Sequence, residues 1–333
     1  MRDMDLFGEG GRGSGRLPQV AMLQAQSSGT GFYLCVRKDV RTGRNGGEFL
    51  SVVLQDVSGE IAAKVFNDVD TLRHEFEAGE FVKVQGRGSV YNQRLELLVD
   101  KIRRVDANRD RLDGFREEDC IRASPHPPDE MWAALEAHVR GVENPHVRAL
   151  LTRMLDAHGE KFRIWPAAQT VHHAYRSGLL EHVLKLIDTT TAIGDAYGAR
   201  RDLLVAGVIL HDIGKLQELA YDTATQYSVE GNLVGHITLG VMMVRDAAAG
   251  IPDFPPDLLT EIEHLILSHH GSREFGSPVE PMTIEAFILA TCDDLDAKLH
   301  QVNRHIAEDD GAGPFTPYHS RLKRVFFKSG GRP

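Results

Sequence analysis

His211-Asp212 closes the apolar run Val205-Ala-Gly-Val-Ile-Leu-His-Asp-Ile-Gly-Lys215. An imidazole and a carboxylate side by side at the end of a buried helix are costly to desolvate unless a partner offsets the loss of water. A cation does this well, and one that activates water makes the site hydrolytic. Two-residue motifs are common by chance, so an isolated pair reads more readily as a core histidine beside a capping aspartate. The rest of the chain shifts that balance. Eight of the 16 histidines fall between His172 and His270. Other ligand types stand at His182, His236 and His269-His270, followed by the carboxylates of Asp293-Asp294-Leu295-Asp296. Ligands this far apart cannot form a local finger. They must converge from several helices, as metal sites in helical bundles do.

Mixed imidazole and carboxylate ligation without thiolate suits manganese, iron, cobalt or catalytic zinc better than a structural zinc. With two ions, a shared carboxylate can bridge them while the pair activates water and neutralises phosphate oxygens. Asp212 is the natural bridge. His182, His211 and Asp293 would complete one shell, and His236, His269 and His270 the other. Lys215, three residues beyond Asp212, falls near the same helical face and could stabilise a phosphoryl transition state. A solvated lysine at a helix end is the equal alternative. Asp294 and Asp296 are open between support of Lys298 or a histidine and plain solvated faces. His264 reads as structural, and His74, His138, His146 and His158 as surface residues.

The elements that must position these groups change character along the chain. Residues 1–16 are rich in Gly, Arg and Asp and are expected to be disordered. Five β-patterned stretches follow, Phe32–Lys38, Glu48–Asp56, Gly59–Phe66, Phe81–Val90 and Arg94–Arg103, with a helical piece at Asp70–Ala78 after the third. This is the order of an OB-fold barrel. From Pro127 onward, apolar residues recur at helical spacing in Met131–Gly141, Pro145–His158, Leu179–Tyr197, Arg201–Leu210, His236–Ala249, Pro256–Ser268 and Thr283–His300. The chain is thus read as multi-domain, an N-terminal five-stranded OB-fold β-barrel followed by an all-α helical bundle. The expected divisions are a disordered segment 1–16, barrel 17–106, linker and connecting helices 107–165, bundle 166–303, and a basic, aromatic tail 304–333. That tail, Pro314–Lys328, reads first as a segment docked by its aromatics and second as a contact for a nucleic-acid backbone.

At 333 residues the chain is long enough for two domains, and its 42% hydrophobic and 26% charged content is that of an ordinary soluble protein. No apolar run reaches the length of a bilayer span and no signal-peptide core opens the chain, so no membrane partner and a cytoplasmic location are expected. Three scattered cysteines indicate reduced thiols rather than a disulfide framework. The net charge of −10 does not exclude nucleic acid, because residues 1–104 hold 15 Lys and Arg against 14 Asp and Glu, while residues 105–333 hold 23 against 34. A barrel of this type holds single strands by stacking bases on aromatics and pairing phosphates with cations. Tyr33, Phe49, Phe66 and Tyr91 are candidate platforms, and Lys38, Arg41, Arg44, Lys64 and Arg94 candidate phosphate contacts. Each aromatic alone fits the barrel core as well.

His182, His211-Asp212 and Asp293 resemble the H…HD…D signature of the HD superfamily of metal-dependent phosphohydrolases, and His236 with His269-His270 resembles its two-metal branch. The chain is more similar still to the YhaM-type 3′→5′ exoribonucleases, which join an OB domain to an HD domain. That similarity rests on His172-His-Ala-Tyr-Arg-Ser-Gly-Leu-Leu-Glu-His182, Leu210-His-Asp-Ile-Gly-Lys215, Ser268-His-His-Gly-Ser-Arg-Glu-Phe-Gly-Ser-Pro278, Asp293-Asp-Leu-Asp-Ala-Lys298 and the Phe315-Thr-Pro tail. It covers nearly everything after residue 16. It implies removal of nucleotides from the 3′ end of single-stranded RNA, with DNA as a further substrate, using Mn²⁺ or a similar divalent ion, with two ions expected. His172, His173 and Arg176 are then candidates to face the substrate phosphate, with a capping or packing role the equal alternative for the two histidines. One departure is Arg176-Ser177-Gly178, where Gly-Gly is the commoner text before Leu-Leu-Glu-His. Two rival readings are an HD-type cyclic-dinucleotide or nucleotide phosphohydrolase and a non-catalytic nucleic-acid-binding protein. The first lacks its Gly-Tyr-Pro segment here, and the second needs no intact ligand set.

Overall fold

The computed structural model describes residues 15–43, 46–91, 94–168, 175–221, 225–307, 309, 311 and 313–328. The expected disorder of residues 1–14, Arg44, His172 and His173 lie outside the described residues. Cα packing divides the chain between Ala123 and Ser124.

The first unit is a closed barrel of β1 (Ser28–Thr42), β2 (Glu48–Asp56), β3 (Gly59–Val65), β4 (Phe81–Tyr91) and β5 (Arg94–Arg104), in the order β1-β2-β3-β5-β4. All neighbours are antiparallel except β3 with β5, which pair Ala63 with Leu97 in parallel. Strand alternation explains the closure. Leu50, Val52 and Leu54 of β2 face inward with Ile61, Ala63 and Val65 of β3, Val82 and Val84 of β4, and Leu97 and Val99 of β5. The helical piece expected at 70–78 is shorter, α1 (Val69–Leu72), and Leu72 and Phe76 after it join the same core. Gly15 and Arg16, expected in a disordered segment, pair with Thr30 at the start of β1.

The polar stretch after β5 is not a linker. Asp106 caps α2 (Ala107–Asp110) by accepting from the Asn108 and Arg109 amides. Asp110 is fully buried, takes Arg103 in two bonds of 2.6 and 2.8 Å, and accepts from Lys83 Nζ at 3.1 Å. Phe115 then packs its ring 5.4 Å from those of Phe32 and Phe81. Of the charges that made this stretch look solvated, Asp110 and Asp113 point back onto the barrel through Lys83.

The second unit is helical: α3 (Pro128–Arg140), α4 (Pro145–Ile164), α5 (Gly178–Tyr197), α6 (Arg201–Leu210), α7 (Lys215–Glu218), α8 (Val229–Val234), α9 (His236–Ala249), α10 (Pro256–Ser268) and α11 (Ile284–Ala307), with a small hairpin of β6 (Leu219–Tyr221) and β7 (Thr225–Tyr227). Leu203 through Leu210 are all buried, as a helix that is apolar all round requires, and α6 is the central rod. The expected connecting helices belong to this unit, since Trp132, Leu135, Leu150, Leu151 and Met154 pack in the same core as α5 and α6. Asn144 starts α4 by accepting from the His146 and Val147 amides, with Pro145 at the first helical position. Ser177 stands at φ +65° before α5, in the left-handed region that glycine occupies without strain. A glycine would hold this turn without that strain. No helix among the described residues is long and apolar enough to cross a membrane. Cys35, Cys120 and Cys292 are buried and free.

Burial alone would raise the Asp110 carboxyl, but Arg103, the Asp106 amide and Lys83 hold it at about 2, below its usual 3.8. The stability it contributes, of order 2 kcal/mol, is complete above about pH 4 and is lost as the pH falls toward 2. Asp110→Ala should destabilise the barrel by about 3 kcal/mol by stripping two buried cations of a partner. Asp110→Asn should fall between the two. In urea titrations the gap between Asp110→Asn and the native protein should close as the pH is lowered from 4 toward 2.

Candidate metal centre

Helix ends and helix faces deliver the ligands. His182 lies in the second turn of α5, and Asp293 is in mid-α11. His211 continues α6, its amide bonded to Gly207 O at 2.8 Å, and Asp212 sits in the turn before α7. His236 is the first residue of α9, and His269 and His270 directly follow α10. Gly214 lets these ends approach. A Cβ on it would lie 1.9 Å from His236 O and 2.6 Å from Gly240 N, so any side chain would push α9 away from Asp212.

Asp212 is the centre of the arrangement and is 2% exposed. Its Oδ2 takes Lys215 Nζ at 2.6 Å and faces His211 Nε2 at 3.2 Å. Its Oδ1 faces His236 Nε2 at 3.6 Å and His269 Nε2 at 3.7 Å, and none of these three atoms has a hydrogen-bond partner. His182 Nε2 lies 3.4 Å from His211 Nε2 and 3.2 Å from Asp293 Oδ1. Two triads therefore each offer ligand atoms within 4.8 Å of one another, His182, His211 and Asp212 in one and His236, His269 and His270 in the other.

The back of every ring is held. His211 Nδ1 donates to Val208 O at 2.7 Å, His269 Nδ1 to Ile266 O at 2.7 Å, and His270 Nδ1 to Phe275 O at 2.9 Å. His236 Nδ1 donates to Glu218 Oε1 at 3.0 Å, and His182 Nδ1 to Asp296 Oδ2 at 2.9 Å. Acceptors at all five Nδ1 atoms fix one tautomer, leaving Nε2 to face the centre. Burial, then the charge of His211, drives the His269 imidazole well below its usual range. Its Nε2 is thus a bare lone pair aimed at a bare carboxylate oxygen. Burial also lowers His270, reinforced by His236. For Asp212, burial is outweighed by Lys215, His211 and His236, which keep the carboxylate ionised. Burial works against protonation of His182, but Asp293 and Asp296 overcome it and raise the ring to about 9. Carboxylate oxygens and histidine Nε2 atoms converging in a water-poor centre fit a divalent cation, and Asp212 Oδ1, His236 Nε2 and His269 Nε2 have no hydrogen bond that would replace it.

Every proposed ligand from the sequence meets in this centre. Lys215 is buried against Asp212 rather than solvated. Asp296, left open from sequence, is buried, orients His182 and pairs with Lys185 Nζ at 2.5 Å, whereas Asp294 pairs with Lys298 at the surface. Glu218 was missed. It accepts from the His236 amide at 2.9 Å as well as from its ring, and the only sequence signal was an acid one helical turn after Lys215. His264 is structural, accepting from the Met282 amide. The Arg176 side chain is exposed, and its carbonyl accepts from the Ser124 amide.

On the barrel the candidates separate. Tyr33 is 2% exposed inside the core, where no base can stack. Lys38 is also withdrawn, its ammonium bonded to the carbonyls of Arg73 and Phe76. Phe49, half-buried, and Phe66, exposed, form a ring pair 5.3 Å apart. Two residues before Phe66, Lys64 pairs with Glu96 at 2.6 Å and lies 4.3 Å from the Tyr91 ring. Phe66, Tyr91, Arg41 and Arg94 remain exposed, and the aromatics fall in two separate groups: the Phe49–Phe66 ring pair and Tyr91 beside Lys64.

Residues 179–298 match the HD domain family and residues 35–105 the OB-fold nucleic acid binding domain family. The chain is 37% identical over 286 residues to the 3′-5′ exoribonuclease YhaM of Bacillus pumilus, covering 85% of this chain and 89% of that protein. With the YhaM of Bacillus subtilis it shares 36% over 274 residues, covering 82% and 86%. The chain belongs to the YhaM family of 3′-5′ exoribonucleases. Among solved structures, the second OB-fold domain of replication protein A from Methanococcus maripaludis is 24% identical, over 27% of this chain and 94% of that one, at a TM-score of 0.23. All seven expected metal ligands, together with Glu218 and Asp296, fall within the matched HD span, and Phe49, Phe66 and Tyr91 fall within the matched OB span.

Glu218 and Asp296 serve different triads, so their loss should be separable. Glu218→Gln should weaken divalent-ion binding at the His236 triad, and Asp296→Asn at the His182 triad, each by roughly 10- to 100-fold. Isothermal titration with Mn²⁺ should then show one weakened class of site in each variant. Equal weakening of both classes in either variant would contradict separate roles.

Proposed function

We propose that the chain is a metal-dependent 3′→5′ exoribonuclease that shortens single-stranded RNA, with single-stranded DNA as a further substrate. The observation that carries this reading is the Asp212 carboxylate, one oxygen facing each triad, in a chain that also carries a barrel with exposed Phe66 and Tyr91. Divalent ions, manganese first and iron, cobalt or zinc as others, supply a lowered water pKa and neutralisation of phosphate oxygens when bound. His182, His211 and Asp293 would hold one ion, His236, His269 and His270 the other, and Asp212 would lie between them. Asp296 and Glu218 keep His182 and His236 in the ligating tautomer. Lys215 balances the second oxygen of Asp212, so the carboxylate stays ionised while buried. Phe49, Phe66 and Tyr91 would stack bases, and Arg41 and Arg94 would pair with phosphates. The scissile bond is the last phosphodiester, and a 5′-nucleotide leaves. A cytoplasmic location is in keeping with three buried cysteines that form no disulfide.

Incubation with a 3′-tailed RNA, a blunt duplex and a cyclic dinucleotide, in Mn²⁺ or EDTA, tests the reading. Stepwise shortening confined to the tailed RNA and abolished by EDTA is expected. Intact RNA with a linearised cyclic dinucleotide would sink it. Asp212→Asn should lower turnover by at least about a thousand-fold, since several kcal/mol of charge stabilisation depend on that carboxylate. RNA affinity measured in EDTA should change little.

A further inference from the structure

Residues 313–328 lie beyond both matched domain families. They contain four Lys or Arg and no Asp or Glu, in a chain of net charge −10. They fold back as a short hairpin. Phe315 bridges Phe327 and His319 bridges Arg324, while the Thr316 amide donates to Phe326 O at 2.8 Å. One side anchors it to the end of α11. His305 Nε2 donates to Pro317 O at 2.9 Å, and the His305 and His319 rings meet at 4.7 Å with Phe326 beside them. Thr316 is buried on this side.

The opposite side is open. Phe315 and Phe327 form a cross-strand ring pair at 5.4 Å, yet are 55% and 59% exposed, and Tyr318 is 63% exposed. Arg321, Lys323 and Arg324 are exposed at the tip and form no ion pair among the described residues. Lys323 holds φ at +53°, a strained conformation for a side chain of this kind. A docked segment needs its aromatics turned inward. Here Phe326 and His319 do that, while three other rings and three cations face out. Rings beside unpaired cations are what a single strand of nucleic acid meets on binding surfaces of this class. Four cations and no acid in this segment make the face locally complementary to a polyanion, against the chain's net charge of −10.

We infer that this hairpin is a second RNA-contact surface, which takes the single strand upstream of its 3′ end. The inference rests on the exoribonuclease reading. His305 and Asp293 are 12 residues apart on α11, about 18 Å along the helix. A strand with its end at Asp293 must therefore be several nucleotides long to reach the hairpin, and the surface would favour long substrates over short ones.

The test is fluorescence anisotropy with a labelled oligoadenylate of about 20 nucleotides, in EDTA to prevent cleavage, across a salt titration. Arg321→Ala/Lys323→Ala/Arg324→Ala should weaken binding about ten-fold or more and lower the slope of log Kd against log salt by about 2, since each single-strand phosphate contact contributes about 0.7. Phe315→Ala/Phe327→Ala should weaken binding by about ten-fold with the slope unchanged. Arg321→Lys/Arg324→Lys should keep the slope, which separates charge from folding. Hydrolysis of bis(p-nitrophenyl) phosphate, too small to span the distance, should be unchanged in all three. Native affinity and slope in the triple variant would overturn the inference. So would a change in sedimentation with RNA affinity intact, because the surface would then join copies of the chain. If the native protein trims RNA and the triple variant trims it equally at all lengths, only this inference falls. If the native protein neither binds nor trims RNA, the exoribonuclease reading falls with it.

Discussion

One buried carboxylate organises the second unit. Asp212 is out of water, and only one of its oxygens has partners inside the protein. The other faces the Nε2 atoms of His236 and His269, the latter a neutral ring whose proton is committed to Ile266 O. Acceptor against acceptor is a repulsive arrangement that a stable core does not keep without compensation. The same arrangement is attractive once a cation lies between. Helices α5, α9, α10 and α11 therefore do more than pack: each ends, or turns a face, where a ligand is needed.

The barrel handles buried charge in the opposite way. Asp110 is as buried as Asp212, but its oxygens are answered by Arg103, Lys83 and the Asp106 amide. Nothing there is left for a ligand. The comparison distinguishes a structural carboxylate from a functional one without reference to sequence motifs. Both have depressed pKa values, and only the unanswered oxygen marks the site.

Much of this was legible from spacing. The ends of α6, α9 and α10 fall where apolar periodicity stops, and the ligands sit at those stops because a helix terminus can aim a side chain into a bundle without breaking a hydrogen-bonded turn. The ligand set was legible because histidine at a helix end is a conspicuous residue. Its supports were not. Glu218 and Asp296 look like any acid on a short or amphipathic helix, and only the tertiary fold reveals which ring nitrogen each faces. Residues 107–123 misled for a related reason: composition counts Asp110 and Arg103 as polar but cannot tell that they face each other. Tyr33 misled in reverse, since alternation in β1 does not say which face of a closed barrel is inside until the register with β4 is known.

Gly214 sets a limit of another kind. The atoms a side chain would strike there are backbone atoms of His236 and Gly240, so no exchange of a neighbouring side chain makes room. Ligands in this centre can be lost one at a time, each by an ordinary point change, leaving an inert but well-folded descendant. The spacing between the Asp212 turn and α9 cannot drift by the same small steps, because altering it means relocating a whole helix. Inactive members of such a lineage should therefore shed histidines long before they shed this glycine. The empty position then becomes a more durable record of ancestry than the metal ligands themselves.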